Sequence, residues 1–134
     1  MKIYLAANYS RHPEMREVRT ILEEQGFRVT ARWINGFHEA LEGQPNSRNA
    51  TFASEDWEDL HDSNLMIWYA TDTPEQRGRG GRHVEFGLAL AWGIQIFVIG
   101  RKENVFHWLE QVQHFESLDE VLKVIQPFKK YAEA

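Results

Sequence analysis

Two carboxylates stand where chemistry is easiest to place. Glu85 is the one ionisable residue between Val84 and Gly100, and it follows the arginine–glycine run "RGRGGR" from Arg77 to Arg82. In the first turn of a helix, an acidic residue complements the macrodipole and caps free N–H groups. The neighbours of Glu85 allow a second reading. Val84, Phe86, Leu88, Ala89, Leu90 and Ala91 are apolar around the whole helical circumference, which predicts burial on most sides. A buried carboxylate costs several kcal/mol unless it is paired, so an unpaired one is usually kept for a task. Asp56 is the second candidate. Its spacing from Ala53, Trp57 and Leu60 puts it on or beside a core-facing stripe, while Glu55 and Asp59 fall on other faces and read as solvated. The plainer account of Asp56 is again a helix-dipole partner. Two carboxylates carried by successive helices to one sheet edge could also form a catalytic pair, one nucleophile and one acid.

The glycines before Glu85 suit an anion. Gly78, Gly80 and Gly81 precede a helix start, where free N–H groups favour phosphate, and Arg77, Arg79 and Arg82 add positive charge. A flexible surface loop has the same composition. The spacing is no dinucleotide fingerprint, because His83 stands at the third glycine position, and no Gly-Lys-Ser/Thr follows to make a P-loop. The six histidines show no metal-ligand spacing, and no nucleophile elbow supports a Ser–His–Asp triad. Neither a metal nor another cofactor is expected. Trp92, Phe97, Phe106 and Trp108 fit a core or a subunit interface better than a base-stacking platform.

Strands and helices must alternate to position these groups. Lys2–Ala7, Phe27–Ile34, Leu65–Ala70 and Ile94–Ile99 read as strands, the second by its period-two alternation and the third as a continuous apolar run. Helices are expected over Pro13–Gln25, closed by Gly26, over Ser54–His61 with Ser54 as N-cap, over His83–Trp92 and over Leu118–Phe128. Asn35–Arg48 reads as loop, and Val105–Leu109 as a short segment. This order predicts one α/β domain over residues 1–134, a Rossmann- or flavodoxin-like sandwich with a parallel sheet of about five strands flanked by helices. Sites in such sheets lie at the carboxyl ends of the strands, which singles out Asn8–His12, Thr71–Arg82 and Gly100–Asn104.

Composition narrows the classes. The chain has 134 residues, 43% hydrophobic and 26% charged, as expected of a globular domain. It has no cysteine, which excludes disulfides, thiolate nucleophiles and cysteine-based zinc sites and fits a cytoplasmic location. A net charge of −5 argues against DNA or RNA polymers as partners, and no stretch is long enough for a membrane span.

Three segments resemble the nucleoside 2-deoxyribosyltransferase family, which includes 2'-deoxynucleoside 5'-monophosphate N-hydrolases. They are "KIYLAANYS", "EDWEDLHDSNLMIWYAT" and "GGRHVEFGLALAWGIQIFVIG", the third being the most specific. The resemblance implies Glu85 as the nucleophile at the anomeric carbon, Asp56 as the acid assisting the departing base, and Tyr4 as the hydroxyl beside the nucleophile. It implies a sugar or 5'-substituent held by Gly80, Gly81, Arg82 and His83, with Asn8, Tyr9 and Arg79 as further substrate contacts. Arg79 stands where transferases carry Asp and nucleotide hydrolases Ser; Asn8 and Tyr9 replace small residues. It also implies a homo-oligomer with shared sites, to which Asn104 and Phe106 would contribute in trans. The implied activity is cleavage of the N-glycosidic bond of a nucleoside or its 5'-monophosphate, with the sugar passed to another base or to water. Alternatives are a strict 5'-monophosphate N-hydrolase gripping phosphate with Arg77, Arg79 and Arg82, and a non-catalytic nucleotide sensor. An enzyme cleaving NAD or ADP-ribose is a further one.

Overall fold

The computed structural model describes residues 1–36, 47–71 and 80–133, with side chains in the last helix described as far as Ile125. Five parallel strands form one sheet in the order β2-β1-β3-β4-β5. They are β1 (Lys2–Ala6), β2 (Arg28–Val29), β3 (Leu65–Tyr69), β4 (Gln95–Ile99) and β5 (Val112–Phe115). Four helices connect or follow them: α1 (His12–Glu24), α2 (Ser47–His61), α3 (Gly81–Ala91) and α4 (Leu118–Glu133). This is the flavodoxin-like order, in which the strand order reverses between β1 and β3 and opens a crevice at their carboxyl ends. Ile3, Tyr4, Leu5 and Ala6 pair in register with Leu65, Met66, Ile67 and Trp68, so the two central strands frame that crevice.

Both central strands are buried on both faces, which explains their unbroken apolar runs. Alternation along β3 separates the faces. Trp68 turns toward α3, where its indole N–H donates to the Arg82 carbonyl at 2.8 Å. Tyr69 turns the other way, and the Arg11 guanidinium stands 5.1 Å from its ring centre. Gly100, just beyond β4, has φ +108° and lies so close to β3 that an added Cβ would come within 2.9 Å of the Ala70 Cβ. Only glycine fits there.

Four expectations need correction. The strand expected over Phe27–Ile34 is two residues long. Thr30 extends the ladder by one bond to Ile3, and then Arg32–Asn35 turn into a one-turn 3-10 helix. Side-chain anchors win over the ladder here: Asp59 accepts from the Arg32 N–H at 2.9 Å, and the Trp33 indole donates to the Leu5 carbonyl at 2.8 Å. The period-two burial of Ala31 and Trp33 therefore comes from a tucked turn. Second, α2 begins at Ser47, and Ser54 lies inside it rather than capping it. Its first half is largely solvent-exposed, so no apolar period marks it. Third, the inward stripe of α2 is rotated: Asp59 and Leu60 are buried, while Trp57 is 53% exposed. Fourth, α3 buries one side only, through Arg82, Phe86 and Ala89, and leaves Val84 64% exposed. β5 completes the sheet with a segment, "VQHF", too short to stand out by period. The expected loop over Asn35–Arg48 lies mostly outside the described residues.

Candidate active site

Tyr4 and Glu85 meet across the layer between β1 and α3. Tyr4 is fully buried in the central strand, and its hydroxyl donates to Glu85 Oε2. Asp56, on the neighbouring helix α2, is close enough to act electrostatically on both. β1, α2 and α3 thus each deliver one group to one cluster. Desolvation pushes the Glu85 carboxyl up from 4.5 to about 8, against the Tyr4 hydrogen bond, which lowers it; the Asp56 charge raises it further. Tyr4 is held well above the ordinary phenol range, first by burial and then by Glu85 and Asp56. Burial thus favours the protonated form of the Glu85 carboxyl in the resting protein.

Among the described residues, none crowds the helix start ahead of Glu85. Gly80 adopts φ +85° as the N-cap of α3, which requires glycine, and a Cβ on Gly80 or Gly81 would meet no described atom within 4 Å. Arg77 and Arg79 lie outside the described residues. Arg82 is committed elsewhere: its guanidinium grips Glu103 bidentately at 2.6 and 2.8 Å and lies 4.6 Å over the Trp68 ring. His83 is half-buried beside it. The Asn104 amide oxygen accepts from the Phe106 N–H at 3.0 Å, which turns its Nδ2 to His83 Nδ1 at 3.3 Å. That assignment makes Nδ1 the acceptor and leaves the His83 proton on Nε2. Burial, then the Arg82 charge, lowers the His83 pKa, so the ring is a neutral donor.

In the loop after β1, Asn8 is buried and caps a short turn, accepting from the Ser10 N–H at 3.1 Å and hydroxyl at 3.0 Å. Tyr9 packs edge-on against His12, with ring centres 5.1 Å apart. Sequence spacing does not single out Arg11 and Glu103, which also stand at this edge. Arg11 donates to the Ala70 carbonyl at 2.9 Å and pairs with Glu14 at 2.6 Å. Glu103 had a readable signal, being the only acidic residue between Glu85 and Glu110. A cavity of about 380 Å³ also opens at the carboxyl edge, lined by Arg11, Tyr69, Arg101 and Ser117 among others. Tyr4, Asp56 and Glu85 do not line it, and Tyr69 places it across the sheet from them. Among the described residues no cluster of three histidine or acidic side chains could hold a metal, and no helix is long and apolar enough to cross a membrane.

The arrangement offers a carboxyl group whose charge is tuned by a phenol and a second carboxylate, beside a helix N-terminus. Such a set can attack an electrophilic carbon and protonate a leaving group.

No protein-family model matches the sequence, and no curated protein matches it. Solved structures do. A CMP N-glycosidase from Clostridium botulinum superposes with a TM-score of 0.60 at 19% identity, covering 95% of this chain and 99% of that one. A 2-deoxyribosyltransferase from Bacillus psychrosaccharolyticus gives a TM-score of 0.68 at 20% identity, covering 90% of each chain. The chain therefore has the fold of these two enzymes over nearly its full length.

Proposed function

We propose that this protein cleaves the N-glycosidic bond of a nucleoside or 2'-deoxynucleoside, or of its 5'-monophosphate, through a covalent glycosyl–Glu85 intermediate. The observation that carries the reading is the Tyr4–Glu85 hydrogen bond with Asp56 beside it. The activities in the names of the two structural neighbours, glycosidic cleavage and deoxyribosyl transfer, support the same chemistry.

In this mechanism the Glu85–Asp56 pair shares one proton. When substrate binds, that proton passes from Glu85 to Asp56, which frees Glu85 as a nucleophile and arms Asp56 as an acid. A Glu85 oxygen then bonds to C1' as the C1'–N bond breaks. The electron pair leaves with the base, which takes the proton from Asp56. Water or a second base attacks C1' from the opened side and gives its proton back to Asp56, and Glu85 departs. Two inversions give net retention. Tyr4 stabilises the Glu85 carboxylate before attack and after release.

The substrate's 5' end would lie over the Gly80–Gly81 helix start, where N–H groups favour phosphate. Because Glu103 engages the Arg82 fork, any arginine contribution to that phosphate falls to Arg77 and Arg79. Exposed Val84, Val105, Phe106 and Trp108 give a second copy of the chain an apolar surface near Asn104, consistent with sites completed by a neighbour. Incubation with deoxynucleosides and their 5'-monophosphates, with and without free adenine, tests the proposal by product analysis. Free base alone identifies a hydrolase and a new nucleoside identifies a transferase. Tight binding without any released base overturns catalysis in favour of a sensor.

A further inference from the structure

We infer that Glu103 is a positioning residue for Glu85, acting through Arg82 and Thr71; the inference rests on the role proposed for Glu85. Glu103 lies beyond β4 and touches neither Tyr4 nor Asp56. Its carboxylate instead joins the two ends of the segment that leads from β3 into α3. At the upstream end it accepts from the Thr71 backbone N–H at 3.1 Å and from the Thr71 hydroxyl at 3.2 Å. At the downstream end it takes both arms of the Arg82 guanidinium. The Arg82 and Glu103 side chains are only 8% and 11% exposed.

The clamp is itself held from three directions. Trp68 lies under the Arg82 guanidinium and donates to the Arg82 carbonyl, which fixes side chain and backbone together. Arg101 donates to the Thr71 hydroxyl at 3.0 Å and to the Thr71 carbonyl at 3.3 Å. The Glu103 N–H donates to His107 Nδ1 at 2.9 Å, and His107 is fully buried against Trp68 and Phe86. Both oxygens of Glu103 are therefore used, in a planar bidentate geometry that fixes direction as well as distance.

Arg82 lies in the first turn of α3 and Glu85 follows three residues on, at the start of the second, so they move as one rigid piece. Arg82 faces β3 and Glu103, while Glu85 reaches β1 and Tyr4. The rotation of that turn about the helix axis sets whether the Glu85 carboxylate reaches the Tyr4 hydroxyl. Among the described residues no side chain caps the start of α3, and Gly80 and Gly81 allow it freedom. The Arg82–Glu103 fork supplies the missing restraint. Glu103 ionises below the usual range: Arg82 and Thr71 lower its pKa against a burial cost that raises it, so the clamp is closed at neutral pH.

The test uses Glu103→Gln and the double variant Arg82→Gln/Glu103→Gln. The single variant leaves a buried arginine uncompensated and could fail to fold; the double variant removes both charges, which buried pairs usually tolerate. For a folded variant, kcat for base release should fall about 100-fold with KM changed less than about threefold, as for a misplaced nucleophile. Restoring the charges in the double variant should restore kcat. A double variant with a wild-type melting temperature and wild-type kcat overturns the inference. A readout independent of turnover separates this failure from failure of the proposed activity. In protein carrying carbon-13 at the glutamate carboxyl, the Glu85 titration midpoint should move by at least about half a unit in the double variant. Coincident midpoints overturn the inference whether or not the protein cleaves nucleosides.

Discussion

Glu85 and Glu103 are the same side chain on two sides of one helix start, in opposite electrical settings. Glu103 meets a guanidinium fork, a backbone N–H and a hydroxyl, and is held below the ordinary carboxylate range. Glu85 meets one neutral phenol and lies near a second carboxylate, and burial drives it up to about 8. The first is satisfied as an ion, and its bonds hold the loop ends. The second is poorly solvated as an ion, the setting its proposed role as nucleophile calls for. A carboxylate with all its lone pairs engaged builds structure; one left short of donors stores free energy for chemistry.

The contrast can be broken by substitution. Glu85→Gln keeps size and shape and should reduce base release on the order of 10⁴-fold or more, because the nucleophile is gone; activity near wild type would remove Glu85 from the mechanism. Asp56→Asn should cost about 10²–10³-fold through loss of the acid. It should also reverse the pH dependence. In the wild type the single shared proton is needed, so kcat/KM should fall as pH rises through about 8. Without Asp56 the variant depends only on ionised Glu85, whose pKa drops with its like-charged neighbour gone, so residual activity should rise with pH. A wild-type profile in Asp56→Asn would separate Asp56 from proton transfer. Tyr4→Phe should cost roughly tenfold, as for one hydrogen bond to a charged group. It should carry the alkaline limb to higher pH, since Tyr4 lowers the Glu85 pKa; an unmoved limb would mean the hydroxyl does not act on Glu85.

The smallest effect is on stability. The folded Glu85 pKa is raised, so between about 4.5 and 8 the unfolded chain has released a proton that the folded chain keeps. Folding stability attributable to this group falls as pH rises through that window. Glu85→Gln removes the penalty and should raise the melting temperature by several degrees at pH 9 relative to wild type, with little change at pH 4. Equal shifts at both pH values would show that Glu85 carries no burial cost.

Much of the frame was legible. β1, β3 and β4 announce themselves as apolar runs because both their faces are covered, and the helices between them follow from spacing. Glu85 stands out for the same reason, as a charge in an apolar stretch. What escaped reading depends on contacts far apart in sequence. The tuck at Arg32–Asn35 rests on Asp59 and Leu5, and the closing strand "VQHF" is specified by pairing with β4. Arg82 illustrates the limit best. Its neighbours suggested a phosphate, yet its fork closes on Glu103, twenty-one residues away, and no local pattern predicts that pairing.

The join between Thr71 and Arg82 has a consequence for how the chain can vary. A chain closed between two fixed posts is in effect a ring, and because Glu103 fastens both Thr71 and Arg82, their spacing does not rest on the sequence that joins them. Lengthening such a ring costs only about 0.6 kcal/mol per doubling. Insertions between positions 71 and 82 are thus expected to leave Glu85 in place, which an unchanged titration midpoint of its carboxyl would show.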